Sequence, residues 1–332
     1  MNVEMTTSAV SSRPHNSCPI CGNESSVLHG EMRDDRHGYP ATFQIRRCRR
    51  CRHTFVPATF EPEQLQQLYT DYYPRGKFSV DELVVPGVAK GIRSWFQGER
   101  SSAFHWVPSE VRVLDIGCGF GETLLYHERR GCEAWGVEAD ENIRRVAEKF
   151  DLNVHVGLFD ANKFEPESFD YVTLDQVIEH VVNPHEVMTG IARVLKRDGT
   201  AIVGTPNSSG WGARLFRRKW INWHVPYHLQ QFSKRSMAIL AREAGLEIYR
   251  TKTITNSEWL YYQWLHLATY PPVGTPSSFW DPSRSSLSNP KRTFRVMGAL
   301  HRLKLNHFLS RLADGFGVGD NRLFFLRKSA SA

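Results

Sequence analysis

The chain has 332 residues, 41% of them hydrophobic and 23% charged, with a formal net charge of +7, the make-up of one large globular domain plus a small accessory unit. No run approaches the roughly 20 apolar residues of a membrane span, and the stretch Met1–Ser17 has no apolar signal core, so a cytoplasmic protein is expected. Basic residues are scattered apart from Arg46–Arg50 and Arg214–Lys219, which is not the pattern of a nucleic-acid-binding stripe.

In chain order, the first feature is a pair of C-x-x-C knuckles, Cys18-Pro19-Ile20-Cys21 and Cys48-Arg49-Arg50-Cys51, with Thr42–Ile45 between them reading as a short strand. Each knuckle can set two thiolates on one side of a tight turn. Four thiolates satisfy a tetrahedral zinc ion with no open position, so the expected ion is structural. A redox dithiol would belong to a thioredoxin-like unit, and no such pattern surrounds either pair. Cys118 and Cys132 stand alone, and His15 and His53 are expected to be bystanders.

From Val111 the chain alternates short apolar runs with amphipathic segments, the signature of a doubly wound α/β sheet. Strands are expected at Val111–Ile116, Ala134–Val137, Val154–Val156, Phe169–Leu174, Thr200–Gly204, Leu246–Thr253 and Leu323–Arg327. Helices are expected at Glu122–Arg130, Asn142–Phe150, His185–Leu195 and, capped by Ser233 and closed by Gly245, up to Ala244. The first strand runs into Asp115-Ile116-Gly117-Cys118-Gly119-Phe120-Gly121, where alternate glycines let a ligand approach the backbone at a helix N-terminus. The spacing is G-x-G-x-G, not the G-x-G-x-x-G of a nicotinamide-binding loop, and Glu138 ends the next strand, where a carboxylate can take both hydroxyls of a ribose.

These residues resemble a known family. Val113–Gly121 looks like motif I of class I S-adenosylmethionine-dependent methyltransferases, and Gly136-Val137-Glu138-Ala139 resembles their acidic loop after the second strand. Ser168–Val172 with Ile178-Glu179-His180-Val181 resembles the branch containing ubiquinone-biosynthesis O-methyltransferase, and Gly199–Asn207 resembles its next strand. The resemblance implies a seven-stranded sheet with the last strand antiparallel. It also implies cofactor contacts from Asp115, Gly117, Cys118, Gly119, Gly121, Glu138 and Ala139, with Asp115 holding the amino group. Phe159 and Asp160 would flank adenine, and Asp175 and Gln176 would lie near the sulfonium. In the ubiquinone branch a further glutamate before the Glu-His pair is associated with a metal. Gln176 stands there, so neither a divalent metal nor a catechol-like quinone is expected.

The resemblance extends to both sides. The ribbon, Glu63–Tyr69 and Tyr72-Tyr73 look like the head of bacterial methyltransferases of surface-glycan and sugar pathways, and His224–Phe232 resembles their H-x-x-x-H-L-x-x-F segment. A small-molecule or lipid-linked sugar is thus the implied acceptor. A hydroxyl acceptor benefits from a histidine base, for which His228 comes first, then His224 and His180. The segment 256–311 combines aromatic, proline-rich and basic stretches. It reads chiefly as a helical cover packed on the core, with a lid or peripheral contact at the inner membrane face as the other reading. The expected organisation is a zinc ribbon (1–57), a helical cap (58–106), a methyltransferase core (107–255 and 312–330) and the insertion (256–311). Competing functions are a catalytically silent binding protein, a quinone or lipid methyltransferase, and a nucleic-acid methyltransferase, for which no N-P-P-[YFW]-type motif is present.

Overall fold

The computed structural model describes residues 16–57, 60, 64, 68–72 and 83–330; His15, Glu63 and Tyr73, singled out above, lie outside them. Two sheets organise the chain. The larger has seven strands in the order β10-β11-β8-β7-β4-β5-β6, formed by β4 (Arg112–Ile116), β5 (Glu133–Glu138), β6 (Asn153–Val156), β7 (Phe169–Asp175), β8 (Leu195–Pro206), β10 (Leu246–Thr253) and β11 (Asn321–Lys328). β11 runs antiparallel to both β8 and β10, and β4 to β8 are parallel. This is the expected Rossmann-like sheet.

The strands β4, β7 and β8 are buried on both faces, so their Val, Leu and Ile runs need no polar alternation. The chain winds outward through β5 and β6 on one side of β4 and through β7 and β8 on the other. A crevice therefore opens at the carboxyl ends of β4 and β7, where ligands of such sheets bind. The helices α2 (Glu122–Glu128), α3 (Ile143–Phe150), α4 (Pro184–Val194) and α6 (Lys234–Glu243) cover the faces. Asn183 caps α4 with Pro184 at its first turn, and Ser233 caps α6 in a reciprocal box with Ser236.

The smaller sheet has the order β1-β2-β3-β9, from β1 (Ser25–Arg33), β2 (Thr42–Cys48), β3 (Thr54–Phe55) and β9 (Gln230–Gln231). Its fourth strand comes from the segment after β8. Cys18, Ile20, Cys48 and Cys51 share one apolar cluster with Ile178, Phe232 and Met237 of the large unit. Three further helices, α7 (Ser257–Ala268), α8 (Lys291–Arg302) and α9 (Leu305–Gly315), lie between β10 and β11; α5 (Trp211–Phe216) follows β8, and α1 (Gly91–Gln97) precedes β4.

Candidate active site

The glycine loop closes over the end of β5: the N–H groups of Gly117 and Cys118 both donate to the Val137 carbonyl. All three loop glycines have positive φ. Gly117 is pressed onto Val177, whose methyl would lie 2.3 Å from an added Cβ, whereas an added Cβ at Gly119 would meet nothing within 4 Å. Gly119 thus faces open space where a ligand can approach the backbone. Its N–H donates to Oε2 of Glu138 at 3.0 Å, and the Asp140 N–H donates to Oε1 at 2.9 Å, so the carboxylate is aimed across the loop mouth. Asp115 sits deeper, taking hydrogen bonds from the hydroxyls of Thr123 and Thr173, and burial raises its pKa to about 6. Cys118 is buried, its thiol pushed up by the same desolvation. Ala139 is exposed beside Glu138. The Phe159 ring packs against Gly190 and Phe164, and the Asp160 side chain caps the next turn by accepting from the Asn162 N–H. Leu158 is the exposed apolar side chain of that loop.

At the end of β7, Asp175 rests on Gly204 and accepts from Ser102; burial raises its pKa to about 6. Gln176 has positive φ and donates to Asn321 at 2.9 Å. Both line a cavity of about 50 Å³ with Ser102, Asn222, Asn256 and Trp259. Of these, Asp175 and Gln176 are the expected cofactor contacts, Asn256 and Trp259 belong to the aromatic stretch of the 256–311 insertion, and Ser102 and Asn222 come from segments that only the fold brings to them.

The Asn222 carbonyl links this cavity to the histidines. It accepts from Nδ1 of His228 at 2.8 Å and from the Gln231 amide at 2.8 Å. A ring nitrogen facing a carbonyl must carry the proton, so Nε2 of His228 keeps its lone pair. His180 and His224 stack edge-on to His228 with ring centroids 4.6 and 4.9 Å away, and His37 reaches His224 at 5.8 Å. Burial holds all four imidazoles in the neutral form, with Arg36 adding to the effect. His37 and Arg36 were missed from the sequence. They belong to the run Asp34-Asp35-Arg36-His37, which reads as a solvated turn yet is buried throughout. The Asp34 carboxylate takes the N–H groups of Arg36, His37 and Tyr39, which closes the tip on itself.

Glu179 completes the group: a carboxylate oxygen of Glu179 and ring nitrogens of His180 and His228 all lie within 4.8 Å of one another. It is fully buried, one oxygen accepts from Thr205 and the other has no hydrogen-bond partner, and desolvation raises its pKa to about 8. The native state therefore keeps a proton that the unfolded chain releases above about 4.3. The stability this group contributes is full below that value and is lost as pH rises through about 8. Glu179→Gln, neutral at every pH, is expected to gain on wild type between pH 5 and 8 by on the order of a few kcal/mol. Paired thermal melts across that range test this, and a pH-independent difference would refute it.

The four ribbon cysteines are gathered as the spacing implied. Cys18 and Cys51 sulfurs are 3.5 Å apart, as are those of Cys21 and Cys48, close to the edge of about 3.8 Å of a tetrahedron with Zn–S bonds near 2.3 Å. The N–H groups of Ile20 and Cys51 point at the sulfurs of Cys18 and Cys48. No cysteine is in a disulfide, and the donor set fits a closed zinc site.

Fold and glycine loop together define a class I methyltransferase domain. The chain belongs to the methyltransferase-domain family, whose model matches residues 43–251, more than half its length. Among curated relatives, the ubiquinone biosynthesis O-methyltransferase of Maricaulis maris is 28% identical over 151 residues, covering 42% of this chain and 59% of that protein. The Neisseria meningitidis serogroup A protein of that name is 28% identical over 159 residues, covering 43% and 67%. The chain thus spans 59% of the length of the first of these relatives. Of the solved structures, phosphoethanolamine N-methyltransferase 2 of Haemonchus contortus with S-adenosyl-L-methionine aligns at TM-score 0.49 and 20% identity, over 83% of this chain and 61% of that one. A methyltransferase in complex with the Haloferax volcanii activator Trm112 aligns at 0.43 and 18%, over 71% and 90%.

Proposed function

We propose that the protein transfers a methyl group from S-adenosylmethionine to a hydroxyl of a sugar or glycan-linked intermediate, on a scaffold that includes a structural zinc ribbon. The observation that carries this is the juxtaposition of the Gly119–Glu138 cleft with a cavity walled by hydroxyl, amide and carboxylate side chains around Trp259. Such a lining suits a polyhydroxylated acceptor. Bound in the cleft, the cofactor supplies an electrophilic methyl on a sulfonium. Glu138 would take the ribose hydroxyls, Gly119 would leave room for the cofactor, and Asp175 would face the reacting end. His228 would accept the hydroxyl proton at Nε2 as the acceptor oxygen attacks, and the cavity would hold that oxygen in line and dry. A second reading, a quinone or lipid phenol as acceptor, is favoured by the curated relatives, which are ubiquinone O-methyltransferases by name.

Gly119→Arg tests the cofactor reading. The added side chain projects into open space and not into the core, and its left-handed φ costs only about 1–2 kcal/mol, so the protein should fold while losing about hundredfold or more in affinity for S-adenosylmethionine, ~2.7 kcal/mol. Calorimetry on both proteins reads this. Absence of binding by zinc-replete wild type would leave a ribbon-bearing binding protein on a silent fold. An acceptor screen of nucleotide sugars and glycans against catechols then separates the two substrate readings.

A further inference from the structure

Helix α9 is amphipathic the wrong way round for a covering helix. Its inward face consists of Asn306, His307, Ser310 and Ala313, all buried. Leu305, Phe308 (58% exposed), Leu312 and the C-capping Phe316 (76%) point outward at helical spacing. Helix α1 lies alongside: Arg311 donates to the Trp95 carbonyl at 3.2 Å and the rings of Phe96 and His307 meet at 5.4 Å. It adds Ile92 (82%) and Trp95 (59%) to the same exposed apolar set, with Leu303 at the α8–α9 corner.

The charge around this set is mostly basic: the acids beside it are Asp314, paired with Arg311, and Glu99, which accepts from the Ser94 hydroxyl. Pro282 to Ala313 contains seven Lys or Arg and no acidic residue, and Leu83 to Gly98 contains Lys90 and Arg93 and no acidic residue. Lys90, Arg93, Lys291, Arg292, Arg295, Arg302 and Lys304 are exposed.

We infer that the α1–α9 face seats the protein on the surface of an anionic phospholipid bilayer, with the apolar stripe entering the interface and the basic side chains meeting the headgroups. Exposed apolar side chains and a surplus of Lys and Arg are the two signals that together hold a peripheral protein on such a surface. A second copy of the chain is a poorer occupant, because two like-charged faces would repel. Among the described residues no helix is long and apolar enough to cross a membrane, so the contact is interfacial. The placement also has a use. Arg311, between Phe308 and Leu312, reaches inward to the carbonyl of Thr255, which lines the acceptor cavity, so an acceptor carried in the membrane would meet the cavity at the helices that touch the lipid.

The test is co-sedimentation of the full chain with vesicles of equal parts phosphatidylglycerol and phosphatidylcholine, and with phosphatidylcholine alone, at low salt. Wild type is expected to bind the mixed vesicles at least about tenfold more tightly. The double variants Phe308→Ser/Phe316→Ser and Arg302→Glu/Lys304→Glu should each lose about tenfold or more on the mixed vesicles. Unchanged calorimetric affinity for S-adenosylmethionine would show that they still fold. Equal binding to both vesicle types, or binding that neither variant weakens, would overturn the inference. So would a wild-type dimer in light scattering that Phe308→Ser/Phe316→Ser converts to monomer, which would give the face to a second copy.

Discussion

Cys48→Ser is expected to abolish methyl transfer while leaving affinity for S-adenosylmethionine within about threefold of wild type. The ribbon's own core is small, and in isolated zinc peptides the metal contributes about 10–16 kcal/mol at neutral pH, so losing one thiolate should unfold the ribbon. Among the described residues no ribbon strand pairs with β4, β5 or β7, which form the cofactor cleft, although the two units share apolar packing. The acceptor side is tied to the ribbon. The Val56 N–H donates to the Leu229 carbonyl, β3 pairs with β9, and His53 meets Gln230 at 2.7 Å. The Ser233 hydroxyl donates to the Cys51 carbonyl at 2.6 Å, and the Leu229 and Gln230 N–H groups are fixed from the other side by the Glu179 carbonyl. His228 sits inside this clamp. Zinc content, cofactor calorimetry and turnover measured on one preparation decide the matter. Turnover persisting in zinc-free Cys48→Ser would show that the ribbon is no part of the acceptor wall.

His228→Asn should lower kcat by about 10²- to 10⁴-fold, the usual worth of a positioned base, with the cofactor Kd unchanged. His224→Asn should cost less, since His224 stacks on His228 at 4.9 Å and its loss removes packing and not the proton acceptor. The pH profile carries a sharper signature. Burial and the neighbouring His180 hold the His228 imidazole well below its ordinary value near 6.5, so the neutral form that can accept a proton persists throughout the neutral range. Activity should fall only as pH drops well under 6.5, through the depressed value. An acidic limb centred at or above 6.5, or one that survives in His228→Asn, would assign the base elsewhere.

The central strands were legible because buried parallel strands announce themselves as Val, Leu and Ile runs separated by helices: β4 to β7 match within a residue at either end, and the antiparallel edge strand Leu246–Thr253 matches residue for residue. The fifth strand was read short. β8 starts at Leu195, because Leu195 pairs with Phe169 and the register then shifts before Thr200 meets Tyr171, an irregularity that a polar Lys-Arg-Asp sequence does not advertise. Strand β9 was illegible for another reason. Gln230-Gln231 has no strand pattern of its own and is extended because β3 lies beside it. The glycine loop and Glu138 could be read because they are local in sequence. The cavity could not, since Ser102, Asn222 and Trp259 carry no motif and meet only through the insertion's packing. The outward stripe of α9 was hidden too: helical periodicity reveals an apolar face but not which way it turns, and here the inward positions are the small and polar ones.

The pairing of β3 with β9 also bears on how the chain is made. His53 and Gln230 are 177 residues apart, so a ribosome delivers the ribbon hairpin long before the strand that covers its last edge. Until then β3 offers unpaired backbone groups to any extended segment, a hazard that late-closing edges carry during synthesis. Early metal capture can order the knuckles, but the finished sheet must wait for the distant strand. The ribbon therefore emerges before the large sheet yet is completed only after β4 to β8 have been delivered.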